Sequence, residues 1–274
     1  ALRAKVEDVN KCVVAVDIEQ PFSDVPTIES SQTEVAGLVV ANINSTYLVL
    51  TSSSLLEPGM NYIVRLSDEV QTEAAFVCRN TASGIGIVSI NASKLTAQQR
   101  NSIAVAQLDN SYMVKQGDLV IASGKLYETS KGVSYGTIAG SKVEYSKDSG
   151  YEVFETSVSI TAGGFAILFN SEGNVVGVSK ASTDTSSKFI GISDLKAQIE
   201  TMINEHGIMY CGITGQNVTE ELAAKYGLPS GVYISNVDID SPAYYAGLQA
   251  GDVISVINGQ SILTIQQFSE KLYQ

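Results

Sequence analysis

At 274 residues the chain has room for two or three domains of roughly 100–200 residues each. Its formal net charge of −12, with 29 acidic against 17 basic residues, argues against nucleic acid and anionic lipid as electrostatic partners, since both need basic patches. No run approaches the ~18 consecutive apolar residues of a membrane span. Apolar residues make up 44% of the chain, enough for real cores, and frequent Val, Ile, Thr, Ser and Gly predict mostly β structure. Three cysteines, Cys12, Cys78 and Cys211, stand far apart with no CxxC or Cys/His cluster, so no metal and no cofactor is expected. Cys12 and Cys78 lie in the apolar runs KCVVAV and AAFVCRN and read as small buried hydrophobes. Their spacing leaves a disulfide between them open.

Taken in order, Ala1-Leu2-Arg3 leads directly into Lys5-Val6-Glu7-Asp8, which is no signal peptide. A native anchor or export signal is expected upstream of residue 1. Short apolar segments follow at 12–18, 37–41, 47–51, 61–66, 74–78 and 85–90. A second series occupies 103–106, 119–123, 132–139, 153–156, 164–169, 175–179 and 189–192. Strand-length runs at this spacing predict barrels or sandwiches, and Glu172-Gly173-Asn174 reads as a hairpin turn. About twelve strands in two sets of six predict two barrels, 1–95 and 96–192.

The texture changes at Ser193. Residues 193–206 read as a linker helix within 193–209, with Ser193 as N-cap and Asp194 in the first turn. Leu195, Ile199, Met202 and Ile203 form its apolar stripe. His206, the chain's one histidine, then suits the negative C-terminal end of the dipole, before Gly207. A third domain is predicted over 210–274. It has a short helix at 219–226 closed by Gly227 and Pro229, a strand at 231–237, a helical turn opened by Ser241-Pro242, a strand at 252–257 and the turn Asn258-Gly259. Thr264-Ile265-Gln266-Gln267 is a capping-box signature for a helix carrying Ile265, Phe268 and Leu272 on one face.

Tyr210-Cys211-Gly212-Ile213, Lys225-Tyr226-Gly227-Leu228-Pro229-Ser230-Gly231-Val232, Ser241-Pro242-Ala243, the run from Ala246 to Ile254 (AGLQAGDVI) and Ile257-Asn258-Gly259 carry a family pattern. On these residues 210–274 resembles an α+β PDZ domain of the bacterial HtrA type. The resemblance implies that an extended peptide adds to a sheet edge beside a helix. The backbone N–H groups around Tyr210, Cys211 and Gly212 would receive a terminal carboxylate, the strand from Ile213 would pair with the peptide, and Phe268 and Leu272 would form the other wall. Gln274 falls inside that last helix, before the closing strands the family carries.

Residues 1–192 are similar to the trypsin-like protease domain of the same family. Tyr47-Leu48-Val49-Leu50-Thr51-Ser52-Ser53-Ser54 matches the segment that carries its histidine, and Ser54 stands in that place. Ser83-Gly84-Ile85-Gly86-Ile87-Val88-Ser89-Ile90 matches the aspartate segment, with Gly84 at the aspartate. Gln116-Gly117-Asp118-Leu119-Val120-Ile121-Ala122-Ser123-Gly124 matches a strand of the second barrel. Ala162-Gly163-Gly164-Phe165-Ala166-Ile167-Leu168 matches the nucleophile loop, with Gly164 at the serine and Phe165 and Ile167 replacing a loop-shaping Gly and Pro. The family mechanism needs a serine activated by a histidine that an aspartate orients, so this alignment predicts no triad member.

The resulting expectation is a pseudoprotease: two six-stranded trypsin-like barrels, a linker helix and a PDZ domain. It would bind peptides or protein C-termini outside the cytoplasm, at the cell surface or in the periplasm, as a scaffold or regulator of protein quality control. The resemblance implies a homotrimer or a mixed assembly with active paralogues. The alternative is an active endopeptidase with a non-standard site, drawing on the Ser52–Ser54 cluster or on a Ser–Lys arrangement with Lys180 or Lys188. Asp68-Glu69 and the pair Asp148 and Glu152 read as solvated acidic loops, and Tyr244-Tyr245 as a half-buried pair.

Overall fold

The structure is a computed structural model that describes residues 2–18, 34–67, 70–127, 131–180, 182–204 and 207–274. The expectations for Asp68-Glu69 and for His206 lie outside these residues. The chain opens not on a strand but on helix α1 (Leu2–Cys12). Val9 and Cys12, three apart and therefore on one helix face, are both buried in the core beneath it.

The first barrel is built from β1 (Val13–Ile18), β2 (Val35–Ile43), β3 (Thr46–Ser52), β4 (Asn61–Ser67), β5 (Val70–Asn80) and β6 (Ile85–Asn91). Its order is β1-β2-β3-β6-β5-β4, and it closes because β1 pairs with both β2 and β4. The second uses β7 (Leu119–Gly124), β8 (Gly132–Ser146), β9 (Ser149–Ile160), β10 (Ala166–Phe169), β11 (Val175–Ser179) and β12 (Ser186–Gly191). Its order is β10-β11-β12-β9-β8-β7, closed by β10 pairing with both β11 and β7. The fold is mostly β, with two closed six-stranded barrels.

The continuous apolar run around β10 has a two-sided explanation. Side chains alternate along a strand. Ala166 and Leu168 face the interior of the second barrel, while Phe165, Ile167 and Phe169 join the larger core shared with the first. Both faces are covered, so the run need not alternate polar with apolar. Removing one such fully buried phenylalanine costs about 3–5 kcal/mol.

Three sequence-based expectations change here. Segment 103–106, which follows the short helix α2 (Ala97–Asn101), is not a strand but a connector between the barrels. Ala104 N–H donates to the Lys11 carbonyl (3.0 Å) and Ala106 N–H to that of Val39 (2.8 Å). At 164–169 the strand begins only at Ala166, and Gly164 belongs to the turn before it. The linker starts as a 3-10 turn (Ile192–Leu195) and continues as α3 (Lys196–Ile203). Ser193 does not cap it. Ser193 and Ser111 instead exchange hydrogen bonds, each hydroxyl accepting from the other's backbone N–H at 2.8 and 3.0 Å. Leu195, Ile199 and Met202 are buried in the shared core, and Gln198 Nε2 donates to Ser83 Oγ at 2.6 Å, fixing α3 to the first barrel.

The C-terminal unit holds a sheet of β13 (Ile213–Asn217), β14 (Val232–Val237) and β15 (Val253–Ile254) in that order. A small hairpin pairs Val256–Ile257 with Gln260–Ser261. Asn258 and Gly259, both at positive φ (50° and 77°), make its turn, as their sequence requires. Helices α4 (Glu220–Tyr226), α5 (Pro242–Tyr245) and α6 (Ile265–Leu272) are N-capped by Thr219, Ser241 and Thr264. The Thr264 box is displaced: its hydroxyl accepts from Gln267 N–H, but Gln267 Oε1 accepts from Leu263, one residue early. α6 ends at Leu272, so Gln274 lies past the helix rather than inside it. Tyr244 and Tyr245 form an edge-to-face pair with centroids 5.6 Å apart. At 50% exposure Tyr244 is half-buried as expected, whereas Tyr245, at 73%, lies mostly in solvent.

Candidate functional site: the triad positions and the Tyr210–Ile213 loop

Ser54 follows β3, and Gly84 precedes β6, its partner in the barrel. Ser53 N–H donates to the Gly84 carbonyl at 3.0 Å, which sets the two positions side by side. Ser52 and Ser54 hydroxyls lie 2.8 Å apart and bond to one another. Gly164 sits on the other barrel. Its neighbour Phe165 accepts from Lys125 N–H, and Gly124 backs onto Ala36. Ala36 in turn accepts from Thr51 Oγ1 at 2.7 Å. The barrels therefore meet between the Gly164 segment and the strand that ends at the serine cluster.

The Gly164 position has no room for a side chain. An ideal Cβ there would lie 2.4 Å from the Lys125 carbonyl oxygen and 2.9 Å from that of Thr161. Its N–H donates to Thr161 O at 2.9 Å, and Gly163 N–H donates to Ser182 O at 3.0 Å. Phe165 and Ile167 are fully buried and pin this segment into the core.

Among the described residues, neither ammonium group named as an alternative base bonds to a serine. Lys180 and Lys188 both donate to Glu144. The Lys180 bond and charge, aided by Lys142 and Lys188, outweigh partial burial and hold the Glu144 carboxyl down to about 2. A cavity of 160 Å³ lies beside Gly84, with Ser83, Glu144, Tyr145, Tyr151 and Lys180 on its walls.

All three thiols are free. Cys12 Sγ donates to the Val9 carbonyl and Cys78 Sγ faces that of Met202, so the two thiols go to separate partners. Burial pushes them up, Cys12 to about 12 and Cys78 to about 11. Among the described residues no group of His, Cys, Asp or Glu could hold a metal ion, and no helix is long and apolar enough to cross a membrane.

The second candidate site is the loop before β13, and it is occupied. The N–H of Cys211 donates to Asp148 Oδ2 at 2.9 Å, that of Gly212 to both oxygens at 2.8 and 2.9 Å, and that of Ile213 to Oδ1 at 2.8 Å. Gly212 makes this possible. It sits at φ 93°, and a Cβ there would lie 2.2 Å from Ser241 Cβ. Asp148 is the second residue of the two-residue β8–β9 turn, at φ 55°. It is 6% exposed, which corrects its reading as a solvated acidic residue; Glu152 accepts instead from Ser141 Oγ at 2.8 Å. Beside the loop, Tyr210 Oη donates to Asp238 at 2.8 Å and Lys147 pairs with Asp238 at 2.6 Å. Phe268 is buried in the core of this unit with Ile213 and Ile265, and Leu272 packs partly buried against it.

Asp148 was not recognisable as a partner of this loop. It lies 64 residues from Gly212, in another unit. The signal available was local: Asp accepts positive φ in a tight turn more readily than most residues, so Lys147-Asp148 marks the hairpin tip.

A profile of the trypsin-like peptidase domain matches residues 36–178, and one of the PDZ domain matches 233–274. A probable periplasmic serine endoprotease, DegP-like, of Pseudomonas savastanoi pv. phaseolicola is 28% identical over 226 residues, 78% of this chain and 46% of that protein. Its namesake in Marinomonas sp. strain MWYL1 is 28% identical over 255 residues, covering 89% and 52%. The chain thus spans about half the length of these relatives. Among solved structures, the HtrA-type protease AlgW with decapeptide superposes with a TM-score of 0.67 at 19% identity, over 99% of this chain and 90% of that one. AlgW with tripeptide gives 0.68 at 21% identity, over 99% and 88%. The protein belongs to the trypsin-like peptidase family, as an HtrA-type member whose barrels are followed by a PDZ domain.

Proposed function

We propose that this HtrA-type protein is non-catalytic and binds peptides or protein C-termini through its PDZ domain. The observation that carries the reading is the convergence of the Cys211, Gly212 and Ile213 N–H groups on one carboxylate. That is the chemistry by which a backbone loop captures a chain terminus. The relatives include AlgW with bound decapeptide and tripeptide, and the same ligand class suits this loop. Because the relatives are named periplasmic, an extracytoplasmic location and a role as scaffold or regulator in protein quality control fit best, in a homotrimer or a mixed assembly with active paralogues.

The inactive half of the reading rests on three positions. Ser54 stands at the base, with a neighbouring hydroxyl as its side-chain partner among the described residues. Gly84 stands at the orienting carboxylate and Gly164 at the nucleophile, where the space for a side chain is filled by backbone. Losing base or nucleophile alone costs about 10⁶ in turnover in a comparable triad, the remainder coming from the oxyanion hole. Here the Gly164 N–H, which would serve that hole, is committed to Thr161.

A library of decapeptides with free C-terminal carboxylates, assayed beside its C-terminally amidated counterpart, tests the binding half. Saturable binding of the carboxylate form, lost on amidation, is expected. No binding of either form at high micromolar peptide overturns it.

A further inference from the structure

We propose that the β8–β9 hairpin is a built-in ligand of the PDZ domain. The Asp148 side chain occupies the place of a peptide's terminal carboxylate, and an incoming C-terminus must displace it. This rests on the peptide-binding reading above and adds the regulation of that site.

The hairpin meets the groove as a bound peptide would, on three sides. Its carboxylate takes the three N–H groups of the loop. Its main chain adds to β13, which is an edge strand because the sheet order is β13-β14-β15. Asp148 N–H donates to the Ile213 carbonyl at 2.8 Å, and Lys147 bridges Thr214 in antiparallel register. This is strand addition by a segment of the same chain. Its far side lies on α6. Ser149 Oγ and Ser269 Oγ are 3.0 Å apart, both buried, and Gly150 comes so close that a Cβ would stand 2.2 Å from Ile265 Cγ2.

The burial is the second, independent sign. Hairpin tips are ordinarily solvated, and a buried carboxylate is tolerated only with partners for its charge. Asp148 and Ser149 are 6% and 4% exposed, and the partners of Asp148 are the PDZ loop's own N–H groups. The Lys147–Asp238 pair, with Tyr210 on the same carboxylate, fastens the turn from outside.

Tethering gives the hairpin an effective concentration at the groove in the millimolar range or above. A free peptide binds only the displaced fraction, so its apparent affinity falls in proportion. Asp148→Asn keeps a residue that accepts positive φ but presents an amide to the N–H groups. Gly150→Ala drives a methyl against Ile265 and leaves Asp148 intact.

The test uses the full chain, wild type and both variants, with fold checked by circular dichroism. Backbone amide exchange at Cys211, Gly212 and Ile213 is read by NMR, and affinity is read with the strongest carboxylate decapeptide from the library. Faster exchange at these amides in both variants is expected, with peptide binding roughly tenfold or more tighter than wild type, and with protection restored when peptide is added. Unchanged exchange in Asp148→Asn overturns the proposal. Equal affinity in wild type and variants also overturns it, while leaving peptide binding itself standing. Faster exchange with no peptide bound by any of the three proteins removes the peptide-binding reading, and the displaceable ligand with it.

Discussion

The carbonyl oxygen of Lys125 stands 2.4 Å from where a Cβ on Gly164 would be. The position proposed for the nucleophile is thus closed by the backbone of a neighbouring strand end. Gly164→Ser is expected to destabilise the protein by about 1–3 kcal/mol, the usual cost of overpacking. It should create no activity, even combined with Ser54→His and Gly84→Asp. Thermal denaturation and casein hydrolysis by the single and triple variants check this; turnover by the triple variant would show that the loop can still open.

Glu144, on the wall of the cavity beside Gly84, pairs with Lys142, Lys180 and Lys188. Its carboxyl titrates near 2 when folded against an ordinary 4.5. The sign follows from linkage: a depressed carboxyl binds fewer protons folded than unfolded. Its contribution is therefore complete above pH 4.5 and fades as pH falls toward 2. Glu144→Gln should lower the midpoint of urea unfolding at pH 6.5, and the gap to wild type should shrink as pH drops from 4.5 to 3. A gap independent of pH would contradict the assignment.

The three cysteines should resist thiol reagents. Burial lifts Cys12 to about 12 and Cys78 and Cys211 to about 11 from an ordinary 9.0, so little thiolate exists at pH 8. A higher pKa makes the remaining thiolate more nucleophilic, which offsets about half of that loss. Alkylation by iodoacetamide in the native state is expected at least roughly tenfold slower than in urea, with Cys12 slowest, as followed by peptide mass spectrometry.

Gly212 is the residue on which the carboxylate loop turns. Gly212→Ala brings a methyl to 2.2 Å from Ser241 Cβ at a φ of 93°, a conformation that costs a non-glycine residue about 1–3 kcal/mol. Binding of carboxylate peptides should fall at least tenfold. Ser241→Ala removes only the cap on Tyr244 N–H, at about 1 kcal/mol, and should weaken binding less. Titration of both variants with one peptide separates the two effects; equal losses would place the loop's integrity in the cap rather than in Gly212.

Much of this fold was legible because barrel strands carry local signals. The turn at Asn258-Gly259, the helix starts at Ser241 and Thr264 and the strands around both barrels follow from spacing and turn chemistry. Where the reading missed, the deciding interaction was long-range. Segment 103–106 has strand composition, but its hydrogen bonds go to Lys11 and Val39 rather than to a ladder. Ser193 is a good capping residue that found Ser111 instead. Tyr245 stays exposed because α5 buries Ala243 instead. Of the site, the loop Tyr210–Ile213 was legible as a motif; its occupant Asp148 was not, because nothing in the sequence around a hairpin tip says which distant backbone it meets.

The most direct measurement of the central claim is intact-mass spectrometry of the native protein after incubation with a fluorophosphonate, which reacts with serines that a general base has activated. The account predicts an unmodified mass. A single stoichiometric adduct, above all within Ser52, Ser53 and Ser54, would contradict it and return the protein to the working peptidases of its family.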